Sequence, residues 1–123
     1  MDKAQALHQF WSSFGIDAYD ENTVPDNAEM PYITYSVEDG SIDDPLLLNA
    51  SIWYRSTSWK EVTKKSEEIA KYIGEFGHLV IKLDKGYVFI TKGVPFAQRM
   101  PDPNDSMIRR IYLIINTEFL TAY

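Results

Sequence analysis

Three prolines within nine residues, Pro95, Pro101 and Pro103, constrain the second half of this chain more than any other feature. A proline removes a backbone donor and fixes φ, which argues against a helix and against a central strand over residues 93–110. The same stretch holds Phe96, Met100 and Met107 and is too apolar for a solvated spacer. The expectation is a stiff, partly apolar loop over 94–106 that serves as a contact surface. Phe96 is its candidate apolar anchor, with Gln98, Arg99 and Met100 beside it. Arg109 and Arg110 follow directly. Guanidinium groups pair bidentately with carboxylates at interfaces, or they bridge the loop to acidic residues of the same chain.

The rest of the chain reads as alternating local signals. Leu7, Phe10, Trp11 and Phe14 share one face of a helix over 3–14, which Gly15 stops. Residues 16–30, rich in Asp, Glu and Asn with Pro25, read as a polar loop. A strand is expected over Tyr32–Glu38, with Ile33, Tyr35 and Val37 on one face. Asp39-Gly40 and Asp43-Asp44-Pro45 mark another loop. Leu46–Arg55 alternates cleanly: Leu46, Leu48, Ala50, Ile52 and Tyr54 share one face. Its other face is polar except near its ends, which brings Trp53 forward as a further contact residue.

Ser58-Trp59-Lys60-Glu61 has the capping-box pattern. The helix that follows carries Val62, Ile69, Ile73 and Phe76 on one stripe, with its charges largely elsewhere and Gly74 and Gly77 at its end. Leu79–Leu83 and Tyr87–Lys92 flank Asp84-Lys85-Gly86 as a hairpin. The last strand, about Met107–Phe119, is apolar on both faces: Ile111, Leu113, Ile115 and Phe119 on one, Ile108, Tyr112 and Ile114 on the other. Both faces must be covered. A second subunit would do so, as would helices split across the two faces or a sheet that curls over itself.

These elements give an α+β fold for a single domain spanning 1–123. It has a mostly antiparallel sheet of about five strands and two helices. Their order is helix-strand-strand-helix-strand-strand-strand.

Chemistry is harder to find. The chain has no cysteine, which excludes disulfides, thiolate catalysis and sulfur-ligated zinc. His8 and His78 have no serine–aspartate or metal-ligand arrangement around them and read as surface or helix-end residues. Asp102, Asn104 and Asp105 lack the glycine and distal glutamate of a calcium loop, and Pro103 breaks the spacing, so they read as turn residues. No cofactor, metal site or enzymatic activity is expected. No apolar run is long enough to span a membrane, and Met1–Gln5 lacks the basic and apolar regions of a secretory leader.

Three segments resemble a known family. They are FWSSFGIDAYDENTVP, ASIWYRSTSWKEVTKKSEEIAKYIG and GVPFAQRMPDPNDSMIRRIYLIINTEFL, and together they span most of the chain from Phe10 to Phe119. They are similar to tail-terminator (tail-completion) proteins of long-tailed bacteriophages and related prophages. The resemblance implies an α+β subunit that assembles as a homo-oligomer, a hexameric ring. Such a ring caps the major tail tube protein, ends tube polymerisation and meets the head–neck connector proteins, while DNA passes through its centre. It implies a place in the virion at the tail–head junction, and in the bacterial host cytoplasm during assembly. The family has no invariant active site to carry over, so Trp53, Phe96, Gln98, Arg99, Met100, Arg109 and Arg110 are inferred contacts. A head-closure or minor capsid neck protein, or a small non-catalytic binding domain of a bacterial operon, is the alternative.

Lys and Arg total 12 against 18 Asp and Glu, a formal charge of −6. Phosphate-driven binding needs the opposite sign. The expected outcome of a mobility-shift titration at physiological salt is therefore no sequence-specific retention of duplex DNA. Retention at nanomolar protein would contradict it.

Overall fold

The computed structural model describes residues 1–37, 46–74 and 79–121. Helix α1 (Lys3–Ser12) is opened by a capping box. Asp2 Oδ1 accepts from the Gln5 amide at 2.8 Å, and Gln5 Oε1 accepts from the Asp2 amide at 2.9 Å. The expected stripe is real: Leu7, Phe10, Trp11 and Phe14 are all buried. Gly15 then turns the chain at φ +82°, a conformation that glycine alone adopts at no steric cost.

The loop expected over 16–30 holds a strand. Strand β1 (Asp17–Asp20) runs parallel to β2 (Tyr32–Tyr35), pairing Asp17 with Tyr32 and Asp20 with Tyr35. Two aspartates in four residues carry almost no strand propensity. Tertiary context makes the strand: Ala18 is buried beside α1, and the ladder continues where the Glu21 amide donates to the Tyr35 carbonyl at 2.9 Å. Strand β2 ends at Tyr35, short of the expected strand, since Ser36 and Val37 are already outside it; Glu38 and the loop at 39–45 lie outside the described residues.

Strand β3 (Leu46–Arg55) has the expected bounds and alternation. Helix α2 (Lys60–Gly74) buries Val62, Ser66, Ile69 and Ile73. Phe76 and Gly77 lie outside the described residues. The expected capping box is absent. Ser58 Oγ accepts from the Lys60 amide rather than from Glu61, and the Ser58 amide is taken by Ser56 Oγ, so Glu61 has no donor to reach back to. Strands β4 (Leu79–Leu83) and β5 (Gly86–Pro101) form the hairpin, tightened to a two-residue turn because Gly86 already pairs with Leu83. Strand β6 (Ile108–Thr121) closes the order.

The sheet therefore has six strands rather than about five, in the order β1-β2-β3-β6-β5-β4, and it is mixed: only β1–β2 is parallel. The element order gains a strand between the first helix and β2. Both helices lie on one face and share one core with the inward row of every strand. Tyr72 of α2 packs edge-on against Phe14, just beyond the end of α1, at 5.4 Å between ring centres. Helix α1 touches both terminal strands, β1 and β4, so the sheet curls around the helices.

The proline-punctuated loop is the largest correction. Residues 94–101 belong to β5, and only 102–107 connect strands. The physical objection to a central strand still holds locally. Strand β4 pairs with β5 only as far as Ile90, so beyond it β5 has a described partner on one side alone, β6. Pro95 falls in the register shift between Lys92 and Ala97, and Pro101 is the last strand residue. Bulges and unpaired edges are where a sheet tolerates proline.

Gly93 sits in that shift against β6. A Cβ there would stand 2.6 Å from Ile114 Cγ2 and 2.8 Å from the Ile114 carbonyl oxygen, and backbone cannot yield. At Gly74 the added atom would meet only the tip of Lys92. Gly93→Ala is expected to lower unfolding free energy by about 1–3 kcal/mol. Gly74→Ala should be neutral or stabilising by up to about 1 kcal/mol. Urea denaturation of the two variants checks the contrast.

Candidate assembly surface

Because α1 and α2 occupy the same side of the sheet, the described residues leave its outer face uncovered. Two of its rows decide what that face can do. One row crosses the sheet through paired positions: Tyr32 opposite Trp53, Trp53 opposite Arg110, Arg110 opposite Met100. Tyr19 of β1 extends it, its ring centre 5.8 Å from that of Tyr32. The Arg110 guanidinium lies 4.6 Å from the Trp53 ring centre and 5.8 Å from that of Tyr112. Arg110 Nε donates to Ser51 Oγ at 2.9 Å, and Trp53 Nε1 donates to Thr34 Oγ1 at 2.9 Å. The row is thus held rigid. Cation–π contacts of this kind are worth about 0.5–1 kcal/mol each where exposed. Partial desolvation and the nearby Asp17 carboxylate hold the Tyr19 phenol above its usual range.

Further along the same face the surface turns aliphatic and aromatic. Leu47, Val80 and Tyr87 are 62%, 44% and 46% exposed, and Ile114 and Leu120 are half-buried beside them. Large apolar patches of this kind mark contact surfaces in soluble proteins.

The nominated residues divide between the two faces. Trp53, Met100 and Arg110 come together, lining a cleft of about 240 Å³ with Pro101, Pro103 and Ile108. Gln98 is exposed on the same face, opposite Tyr112. Arg99 and Arg109 lie on the helix side, flanking Trp59 at 5.1 and 5.2 Å from its ring centre. Arg109 is a brace of its own chain: its Nε and Nη2 donate to the carbonyls of Ser56 and Thr57 at 3.0 and 3.1 Å. Arg99 reaches only Thr63 Oγ1, at 3.4 Å. Phe96 is half-buried against the core, whereas Val94, two residues earlier, is 97% exposed.

Trp59, Val94, Leu47, Tyr87 and the Tyr19–Tyr32 pair were not singled out from sequence. Leu47 had a signal, since it is an apolar residue on the polar face of an alternating strand. Tyr19 had none, because β1 itself was invisible.

The connection 102–107 is built from turn chemistry, as its residues suggested. Asp102 Oδ1 accepts from the amides of Asn104 and Asp105 at 2.7 and 3.0 Å. Asp105 accepts from the Met107 amide at 2.9 Å and from Arg55 at 2.7 Å. The amide and then the guanidinium hold its carboxyl below the usual range. His8 Nδ1 lies 2.9 Å from Tyr35 Oη and its Nε2 3.4 Å from Ser12 Oγ, a helix-surface arrangement with no hydrogen-bonded acid among the described residues. His78 lies outside the described residues. Among the described residues no group of three or more His, Cys, Asp and Glu could hold a metal ion, and no helix is long and apolar enough to cross a membrane.

Comparison with models of known protein families and with curated protein sequences finds no match.

The different settings of Phe96 and Val94 separate internal packing from free surface. Phe96→Ala is expected to cost about 1–2 kcal/mol of stability, below the 3–5 of a fully buried phenylalanine. Val94→Ser should change stability by less than about 0.5 kcal/mol. Chemical denaturation measures both; equal losses would place Val94 inside the packing.

Proposed function

We propose that this protein is a structural subunit of a bacteriophage virion, a tail terminator that assembles into a ring, most simply of six copies, on the end of the tail tube. The ring ends tube polymerisation and offers a surface to the head–neck connector. The single observation that carries the reading is the outer sheet face. It is left bare by both helices and combines exposed Leu47, Val80 and Tyr87 with the Trp53–Arg110 row. Tyr, Trp, Arg and Met dominate the energetic centres of protein interfaces. The resemblance of the three segments to tail-terminator proteins supplies the kind of assembly. The negative net charge suits a conduit that lets DNA pass without gripping it.

The test uses the full chain, alone and with polymerised tail-tube protein from the same genome. Sedimentation velocity and negative-stain imaging are expected to find a closed ring, seated on tube ends when tubes are present. Leu47→Ser with Tyr87→Ser should leave the melting temperature within about 2–3 °C, because both side chains are exposed. The same variant should weaken assembly at least about tenfold. A native protein that stays monomeric under every condition, tubes included, overturns the proposal. Rings that bind portal assemblies and ignore tube ends would reassign it to head closure.

A further inference from the structure

We propose that the cationic corner around Trp59 docks the acidic β1 edge of a second copy of this chain, so that copies associate head to tail. The inference rests on the ring reading above and names a polar contact between neighbouring copies, in addition to the outer sheet face.

The charge of this chain is segregated along its length. From Ala4 to Tyr54 there is no lysine or arginine, so every cationic side chain except Lys3 lies at Arg55 or beyond. The fold converts this into a spatial separation. Asp17, Glu21, Asp26 and Glu29 are exposed on and just after β1, the terminal strand of the sheet. Among the described residues none of them has a cationic partner. Three strands away from β1, counting those that intervene, lies β5, which brings Arg99 to the first turns of α2. There Lys60, Lys64 and Arg99 line an open groove of about 410 Å³ floored by Trp59 and Thr63. Glu67 is the one carboxylate among the lining residues. None of the three cations is ion-paired among the described residues. Arg109, 5.2 Å from the Trp59 ring centre, adds a further positive charge nearby.

The two patches cannot meet within one subunit. Measured along the sheet, four strand spacings at about 4.8 Å put roughly 19 Å between β1 and β5, more than twice the screening length at physiological salt. Their complementary partner is the other patch on another copy. A contact between two different patches is heterologous, and repetition of a heterologous contact yields a ring when the rotation closes. The same arrangement steers copies into the correct orientation before they touch, and it opposes face-to-face pairing of like patches. The stacked Trp59–Arg99 pair supplies a preordered guanidinium, so less side-chain freedom is lost on docking.

Charge reversal in pairs tests it. One variant carries Lys60→Glu, Lys64→Glu and Arg99→Glu; the other carries Glu21→Lys, Asp26→Lys and Glu29→Lys. Each is checked by thermal melting, and assembly is followed by sedimentation velocity across a salt series. Each variant alone is expected to self-associate at least about tenfold more weakly than the native chain. An equimolar mixture should recover assembly with the two variants in equal numbers, because every junction then pairs opposite charges. Native assembly should weaken as salt rises. If both variants assemble like the native chain, or if two folded variants fail to rescue each other, the docking is wrong while the ring reading stands. A native chain that never assembles removes both.

Discussion

Strand β6 is the constraint on which the structure depends. It pairs with β3 along one edge and β5 along the other, and its inward row, Ile111, Leu113, Ile115, Thr117 and Phe119, is buried throughout. Helix α2 packs over that row and α1 closes the same face of the sheet, the two joined through Tyr72 against Phe10 and Phe14. Lys65 Nζ adds a tie by donating to the Phe14 carbonyl at 2.6 Å. Once both helices are committed to one side, the outward row of β6 has no cover from the described part of its own chain. The core and the proposed assembly surface are thus two faces of one strand.

The edges of the sheet are handled by different means. On the β5 side the ladder is ended by chemistry: Pro95 in the bulge, Pro101 at the strand end, and the cationic Arg99 between them. Prolines, bulges and charges are how natural sheets avoid indiscriminate strand pairing. On the β1 side the strand is only four residues long and carries two aspartates. Neither of these two stretches invites a foreign strand, so association there is left to side chains, which is where charge and aromatic geometry can make it selective.

The arginines illustrate how residues of one type acquire separate tasks. Arg55 is neutralised by Asp105 and fixes the 102–107 connection. Arg109 is consumed by carbonyls of the β3–α2 turn. Arg110 is stacked on Trp53 with no carboxylate partner among the described residues, and Arg99 is similarly unpaired beside Trp59. Only the last two retain guanidinium capacity for a partner, although sequence alone gives Arg99, Arg109 and Arg110 equal standing.

Much of the framework was legible in the sequence, and for stated reasons. Periodicity placed α1, β3, α2 and β6 because each has a strong one-sided apolar pattern that burial must satisfy. The double apolarity of β6 correctly posed the question of what covers its second face. Periodicity could not reveal β1, whose Asp-Ala-Tyr-Asp is a strand only because β2 and α1 lie beside it. It also could not foresee that, among the described residues, β5 beyond Ile90 is paired on one side only, where a proline-bearing segment can continue as a strand. The sequence by itself determined which residues must be buried, how charge is divided along the chain and that no cysteine chemistry is possible. Tertiary structure alone decided that the helices share one face, that Phe96 turns inward while Val94 projects, and that Trp59 gathers Arg99 and Arg109. Those outcomes depend on pairings between residues far apart in the chain, and local propensity carries no information about them.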